Sequence, residues 1–159
     1  MSFDTFRGHA LRYVNAVLAA PLQFFVFVVG IWFTLNGIIA FGIYPDMAFG
    51  GGHMRSCTIQ FLGFIPVTVN GWHALFHLVT GVAALVAATI RGRALAYTWI
   101  CGPFYLLIAA LGFVGGDNVL HVMAVDTFGN IVHTTEATIL LATAAGSTLV
   151  TRRAQLTSK

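Results

Sequence analysis

Residues 71–93 have the sequence GWHALFHLVTGVAALVAATIRGR, and this stretch decides the fold class of the chain. Its first 20 residues contain no Lys, Arg, Asp or Glu, and two arginines, Arg91 and Arg93, follow directly. An α-helix rises about 1.5 Å per residue, so about 20 apolar residues cross the hydrocarbon core of a bilayer. The stretch therefore predicts a membrane-spanning helix that ends at positive charge.

The composition of the whole chain also indicates a membrane protein. Of its 159 residues, 58% are apolar and only 8% are charged. A soluble domain carries about 25% charged residues, so this chain has too little charge to cover a surface in water. Its net charge of +3 does not indicate a nucleic-acid partner, because the basic residues form no stripe with interleaved aromatic side chains.

Three further stretches are long and apolar enough to span a bilayer. The four predicted spans are residues 21–44, 71–90, 94–114 and 131–150. The predicted fold class is thus an all-α integral membrane four-helix bundle, and its transmembrane domain occupies residues 21–151.

The two ends of the chain are predicted to lie outside this domain. Residues 1–20 are expected to form an amphipathic helix in the inner membrane interface, because apolar residues recur at helical spacing from Phe3 to Val17. The alternative is a cytoplasmic extension of the first span. Residues 152–159 are expected to form a cytoplasmic tail.

The basic residues predict the orientation of the spans, because cytoplasmic loops carry an excess of Lys and Arg. Only Arg55 falls on one side of the predicted spans. The others fall on the opposite side: Arg7, Arg12, Arg91, Arg93, Arg152, Arg153 and Lys159. Both termini are therefore predicted to be cytoplasmic, in a multi-pass protein of the bacterial cytoplasmic (inner) membrane.

Two outer segments are too short to span. Residues 59–69 are apolar and aromatic, and we expect them to pack on the outer ends of the helices after the flexible run at 50–52. The second segment is expected to form a short interfacial helix over residues 118–125, capped by Asp117, and then a turn at 126–130.

The two cysteines are expected to be unpaired. Cys57 lies in an outer loop, whereas Cys101 lies about two helical turns from the inner end of the third span. A disulfide requires Cα atoms within about 7 Å. An intermolecular bond through Cys57 stays open as an alternative.

The pattern Asn-x-x-His occurs three times on the outer side, starting at Asn70, Asn118 and Asn130. The second and fourth spans both start with it, which hints at a repeated helical hairpin. Asn is also a good helix N-cap, so part of the pattern is expected to be helix-start chemistry. Asn36 is expected to hydrogen-bond between helices. The predicted structural polar residues are Asn36, Asn70, Asn118, His121, Asp126 and Asn130.

The candidate functional site follows from depth along the predicted spans. His73 and His77 are four residues apart and share a helix face. His133 and Glu136 are three residues apart on the fourth span and reach a similar depth. Imidazoles with a carboxylate suit a divalent transition metal such as zinc. The predicted metal ligands are therefore His73, His77, His133 and Glu136.

Other interpretations of the same residues stay open. A pair of histidines could hold a haem, with ligands on opposite sides of the ring, or could handle protons. The histidines could instead only tie the second and fourth spans together by hydrogen bonds. Glu136 is expected to pair with His77 or His73, to be neutral, or to reach water at the interface. His121 and Asp117 could approach the site from the second outer segment.

A family resemblance rests on the segment from His73 to Leu85, HALFHLVTGVAAL, and on Asp126, Asn130 and His133. This segment resembles the central motif of a family of small four-span membrane proteins, found mainly in actinobacteria and known as domain of unknown function 4383. The resemblance covers roughly residues 25–150. It implies a fold and a location in the cell envelope, and it implies no activity.

The expected function is that of a non-catalytic accessory or stabilising subunit in a larger inner-membrane complex, in lipid transport, respiration or envelope assembly. The chain shows no nucleotide motif and no Ser/His/Asp or paired-carboxylate arrangement, so we expect no enzyme activity. The expected partners are the lipid bilayer and a larger membrane complex. The alternative function is binding of a metal or haem through the outer His/Glu cluster.

Overall fold

The computed structural model describes residues 3–47, 56–61, 63–116 and 118–157. Within these residues the chain is mostly helical, as predicted, with two small antiparallel sheets added. The elements are α1 (Phe3–Val17), α2 (Pro21–Ile43), β1 (Cys57–Phe61), β2 (Ile65–Val69), α3 (Gly71–Ala87), α4 (Arg91–Gly115), β3 (Asn118–Val119), β4 (Met123–Ala124) and α5 (Thr127–Thr157).

Helices α2 to α5 correspond to the four predicted spans. Pro21 stands in the first turn of α2, where its missing N–H leaves no intrahelical hydrogen bond unmade. The last helix is longer than predicted: α5 starts at Thr127 and continues to Thr157, so residues 152–157 of the predicted tail are helical. The N-terminal segment forms a helix, α1, as predicted.

Two of the described helices, α2 and α4, are long and apolar enough to cross a membrane. Only 28% of the most apolar window of α2 and 39% of that of α4 are buried within the protein. A core helix of a soluble protein is mostly buried, so this exposure favours a membrane protein. Helix α3 is apolar but shorter, with 17 residues.

Helices α2 and α3 pack closely because glycines lie at their crossing. A Cβ atom on Gly37 would lie 2.6 Å from the backbone nitrogen of Leu78 and 2.8 Å from the carbonyl oxygen of Ala74. A Cβ atom on Gly81 would overlap the backbone of Thr34. Such small residues let two helices approach through their backbones where lipid surrounds them.

Helices α4 and α5 form the second close pair. Gly112 of α4 leaves room for the buried side chain of Asn130 on α5, which a Cβ atom there would overlap. Between the two pairs, Phe33 of α2 stacks on Tyr105 of α4 with ring centroids 4.8 Å apart. Both rings are fully buried, and they form the centre of the apolar core with Leu140.

The segment at 57–69 is an antiparallel β-hairpin, in which Cys57 pairs with Val69 and Phe61 with Ile65. It packs on the ends of α2 and α3, as expected, with Val69 buried against Ala40 and Ala74. A hairpin satisfies the backbone hydrogen bonds of a segment that is too short for a spanning helix.

The predicted helix over residues 118–125 is wrong. These residues form a second, smaller hairpin, β3–β4, whose strands are joined by the three residues 120–122. Leu120 and His121 have φ 54° and 56°, and the Val122 N–H donates to the Val119 carbonyl at 3.0 Å, which is a type I′ turn within that loop. Such positive φ values are incompatible with a right-handed helix, so no helix forms here.

The two ends of the helical assembly differ in composition. One end carries both hairpins, and the other joins the start of α4 to the end of α5, where Arg91 Nη2 donates to Thr151 Oγ1 at 2.8 Å. Helix α1 meets this second end, because the Tyr13 hydroxyl donates to the Leu85 carbonyl at 2.9 Å. The basic side chains of α1, α4 and the end of α5 are thus grouped together.

Outside the described residues lie the run at 50–52, Arg55, Asp117 and Lys159.

Both cysteines are free within the chain, as predicted. Cys57 is half-buried in β1 and Cys101 is buried in α4. An intermolecular bond through Cys57 stays a prediction.

The glycines at the α2–α3 crossing provide a test of the packing. We expect Gly37→Ala to lower the free energy of unfolding by about 1–3 kcal/mol, the usual penalty of overpacking, because the new Cβ meets backbone atoms that cannot turn aside. Gly42→Ala on the same helix is the matched control, since a Cβ there meets nothing within 4 Å. Thermal unfolding followed by circular dichroism compares the two. Equal stability of both variants would contradict the observed crossing.

Candidate metal centre

Three histidines meet where α3 and α5 start. His73 and His77 lie on successive turns of α3, His133 lies on α5, and all three are buried. Their Nε2 atoms form a triangle with sides of 3.1 Å from His77 to His73, 3.3 Å from His73 to His133, and 3.3 Å from His133 to His77. The structure thus brings together three of the four predicted metal ligands.

The size of this triangle matches one face of a tetrahedral metal site. Zinc bonds of about 2.0–2.1 Å to imidazole nitrogen place two ligand nitrogens about 3.3–3.4 Å apart in a regular tetrahedron. Two sides of the observed triangle measure 3.3 Å, which matches this spacing. The third side is slightly shorter, at 3.1 Å. Small side-chain rotations are therefore enough to seat an ion on the three nitrogens.

Asn70 sets the position of the first histidine. As the predicted N-cap of α3, its Oδ1 accepts from the backbone N–H of His73 at 3.0 Å. The same oxygen accepts from the Ala124 N–H at 3.3 Å, and its Nδ2 donates to the Val122 carbonyl at 2.8 Å. The fully buried amide of Asn70 thus joins the first turn of α3 to the β3–β4 hairpin.

Asp126 sets the start of the helix that carries His133. Its Oδ1 accepts from the Gly129 N–H at 2.7 Å, and its Oδ2 accepts from the Thr68 N–H at 2.7 Å. The first contact is helix N-capping, and the second ties α5 to β2. Residues 127–130, predicted as part of a turn, therefore already belong to α5, and Asn130 lies inside the helix rather than at its cap.

The backbone fixes the tautomer of His73. Its Nδ1 lies 2.8 Å from the Ala124 carbonyl oxygen, which can only accept, so Nδ1 carries the proton. In the neutral ring Nε2 then has a free lone pair. A carbonyl bonded to the outer nitrogen is the usual arrangement behind a metal-ligating histidine, because it orients the ring and raises its basicity.

His77 has a polar partner behind its ring in α4. The Tyr105 hydroxyl lies 3.4 Å from His77 Nδ1 and 2.8 Å from Thr80 Oγ1. The Tyr97 hydroxyl donates to the Thr80 carbonyl at 3.2 Å. These buried hydroxyls extend a polar chain from the histidines into α4.

His133 is held by aromatic rings rather than by a hydrogen bond at its outer nitrogen. Its Nδ1 is buried and has no hydrogen-bond partner among the described residues. The ring stands edge-on to Tyr105 with centroids 5.5 Å apart, and Phe76 lies at 6.1 Å. The position of the ring is therefore set by packing, and its Nε2 points to the other two histidines.

Glu136 does not pair with His73 or His77 as predicted. Its Oε1 accepts from Trp32 Nε1 at 3.0 Å, which links α5 to α2. Its Oε2 is buried without a hydrogen-bond partner among the described residues. Glu136 is three residues after His133, which is slightly less than one full turn of the helix. Its carboxyl group therefore contacts Trp32 of α2 and does not reach the three Nε2 atoms.

Three other predicted polar residues lie away from the histidines. His121 is exposed in the turn of the second hairpin, where the Asn118 Oδ1 accepts from its N–H at 3.0 Å. Asn118 therefore stabilises a turn and not a helix. Asn36 Nδ2 donates at 2.7 Å to the Trp32 carbonyl within α2, so the predicted bond between helices is wrong.

A cavity of about 300 Å³ opens beside the triangle, between α2, the first hairpin and α5. His73, His77, His133 and Glu136 all line it, and its other walls are almost entirely apolar. Glu136 is thus near the histidines without contacting them. All three histidines line this cavity, so we infer that a further ligand of a bound ion would come from this side.

The sequence interpretation missed Tyr105, Thr80 and Trp32. Tyr97, Cys101 and Tyr105 recur every four residues and share one buried face of α4, a pattern that indicates a polar face. Tyr97 is buried on this face. Nothing in the sequence pairs Trp32 with Glu136, because the rotation of one helix against another leaves no local pattern.

Comparison with known proteins gives one match. No curated protein and no solved structure matches the chain. The family model described as "Domain of unknown function (DUF4383)" matches residues 23–146. This range includes helices α3 and α4, both hairpins and all three histidines of the triangle. The chain therefore belongs to the DUF4383 family.

Proposed function

We propose that this protein binds a divalent transition-metal ion, with zinc as the best fit, through His73, His77 and His133. The single observation that carries the proposal is the triangle of Nε2 atoms at 3.1–3.3 Å, buried and oriented from behind. Three histidines with a fourth position open is a common arrangement of protein zinc sites that carry a water or substrate. Glu136 lies outside the direct ligand set and lines the cavity beside the triangle.

The same geometry argues against haem as the ligand. Two axial histidines of a haem stand on opposite faces of the porphyrin. The three nitrogens here are within hydrogen-bonding distance of one another, which leaves no room for a ring between any two of them.

We further propose a four-span protein of the bacterial inner membrane with both termini cytoplasmic. The grouping of basic side chains at the end opposite the hairpins supports this orientation. Large exposed apolar side chains along the helices, such as Leu35, Ile38, Ile100 and Leu107, support contact with lipid. In this arrangement the metal lies near the outer membrane surface.

An accessory, non-catalytic role in a larger membrane complex stays a prediction, as does the absence of enzyme activity. A metal site is compatible with such a role, because a bound ion can hold α3 and α5 together. It is equally compatible with chemistry at the open position.

The metal proposal predicts that purified protein contains about one zinc ion per chain. Loss of a residue that only hydrogen-bonds to a metal ligand weakens metal binding by about 10- to 100-fold. His77→Ala removes a direct ligand, so it should weaken zinc binding by more than this. His9→Ala is the matched control, since His9 is exposed on α1. Metal content by mass spectrometry and competition with a chelator measure both variants.

Circular dichroism establishes that the His77→Ala protein is folded, and His133→Ala repeats the test from the other helix. Full zinc content in both variants, or a wild-type protein that takes up no zinc, cobalt or copper, would overturn the proposal.

The orientation predicts which end of the molecule a membrane-impermeant maleimide reaches in spheroplasts. In a Cys57→Ser, Cys101→Ser background, Ser56→Cys should be labelled in intact spheroplasts, because residue 56 is exposed at the hairpin end. Gly92→Cys, exposed in the first turn of α4, should be labelled only after the membrane is opened. The reverse labelling pattern would refute the orientation.

A further inference from the structure

The cavity beside the histidines is one of two that follow each other between α2 and α5. The first has about 300 Å³ and the second about 260 Å³. Trp32 and Glu136 line both, so the hydrogen bond between them stands at the junction. The second cavity continues along apolar side chains such as Val28, Phe33 and Leu140. The two cavities together are the α2–α5 groove: the histidines line its first part, the bond between Trp32 and Glu136 lies at its middle, and its second part is apolar.

The walls of this groove belong to the face that meets lipid in the proposed membrane arrangement. Trp32, Ile39 and Phe128 line the first cavity and are also partly exposed, at 43%, 49% and 39%. A hydrocarbon chain can therefore enter from the side without crossing water. A first cavity of about 300 Å³ is also at the lower end of the usual range of ligand pockets, about 300–1,000 Å³.

The first cavity offers a ligand two polar functions. One is the fourth coordination position of an ion on the triangle, which faces the first cavity. The other is Glu136 Oε2, which is buried and has no hydrogen-bond partner among the described residues, while Trp32 holds Oε1. A buried carboxyl oxygen without a partner is unfavourable by about 1–3 kcal/mol or more, so a ligand that donates a hydrogen bond here is favoured.

We propose, on the basis of the metal site above, that the groove binds a lipophilic alcohol or phenol. Its hydroxyl oxygen occupies the fourth position on the metal, its hydroxyl proton is donated to Glu136 Oε2, and its hydrocarbon part runs between α2 and α5. A hydroxyl group offers the lone pair and the proton together. A fatty-acid carboxylate fits less well, because it has no proton to donate and meets the carboxyl of Glu136.

Cobalt-loaded protein tests this inference, because the visible absorption of Co²⁺ reports on its ligands. Titration with 4-octylphenol should change the cobalt spectrum, whereas octylbenzene, which lacks the hydroxyl, should leave it unchanged. Glu136→Gln keeps an acceptor for Trp32 but replaces Oε2 by a donor. We expect it to bind the phenol about 2- to 10-fold more weakly, the range for losing one hydrogen bond, with cobalt uptake retained.

A pair of neighbouring substitutions tests the location. Val132→Phe fills part of the first cavity and should abolish the spectral response to the phenol. Ile131→Phe, at an exposed position outside both cavities, should behave as the wild type. If Val132→Phe responds like the wild type, or if octylbenzene and octylphenol act alike, the inference is wrong while the metal site stands. If the wild-type protein takes up no zinc, cobalt or copper, the metal proposal fails and this inference fails with it.

Discussion

The arrangement of the site depends on how one fully buried amide, that of Asn70, is satisfied. Asn70 caps α3 and bonds the β3–β4 hairpin twice, at Val122 and at Ala124. Because Asn70 positions this hairpin, the Ala124 carbonyl stands behind His73 and fixes its tautomer. A buried amide without these partners is strongly unfavourable in an apolar environment, so the start of α3, the hairpin and the ring of His73 are held as one unit. The triangle of imidazoles follows once Asp126 sets the start of α5.

Three buried imidazoles are packed against one another, with their Nε2 atoms directed inward. The Nδ1 of His133 has no partner among the described residues. Structural clusters and metal sites both usually satisfy such a group, so the case for a metal rests on the inner nitrogens. A metal ion explains the convergence of the inner nitrogens, since each contributes a lone pair to one centre. In the proposed membrane arrangement, the apolar groove beside the triangle would open toward lipid.

Much of the helical structure follows from the sequence, because apolar runs of span length and the glycines at helix crossings are local patterns. The same holds for Asn70 as a cap and for the shared face of His73 and His77. Two features depend on distant parts of the chain. The hairpins form because their backbone finds partners at the ends of the helices, and Glu136 meets Trp32 because α2 and α5 are rotated toward each other. Neither rotation nor strand pairing is encoded in a window of a few residues.

The central claim is that His73, His77 and His133 together hold one metal ion. X-ray absorption at the zinc edge of the protein in native-like lipid tests it most directly. The account predicts imidazole scattering from about three nitrogens at about 2.0–2.1 Å, with one further light-atom ligand and no sulfur. A zinc ion bound by sulfur from Cys57 or Cys101, or coordinated by fewer than three imidazoles, would contradict it.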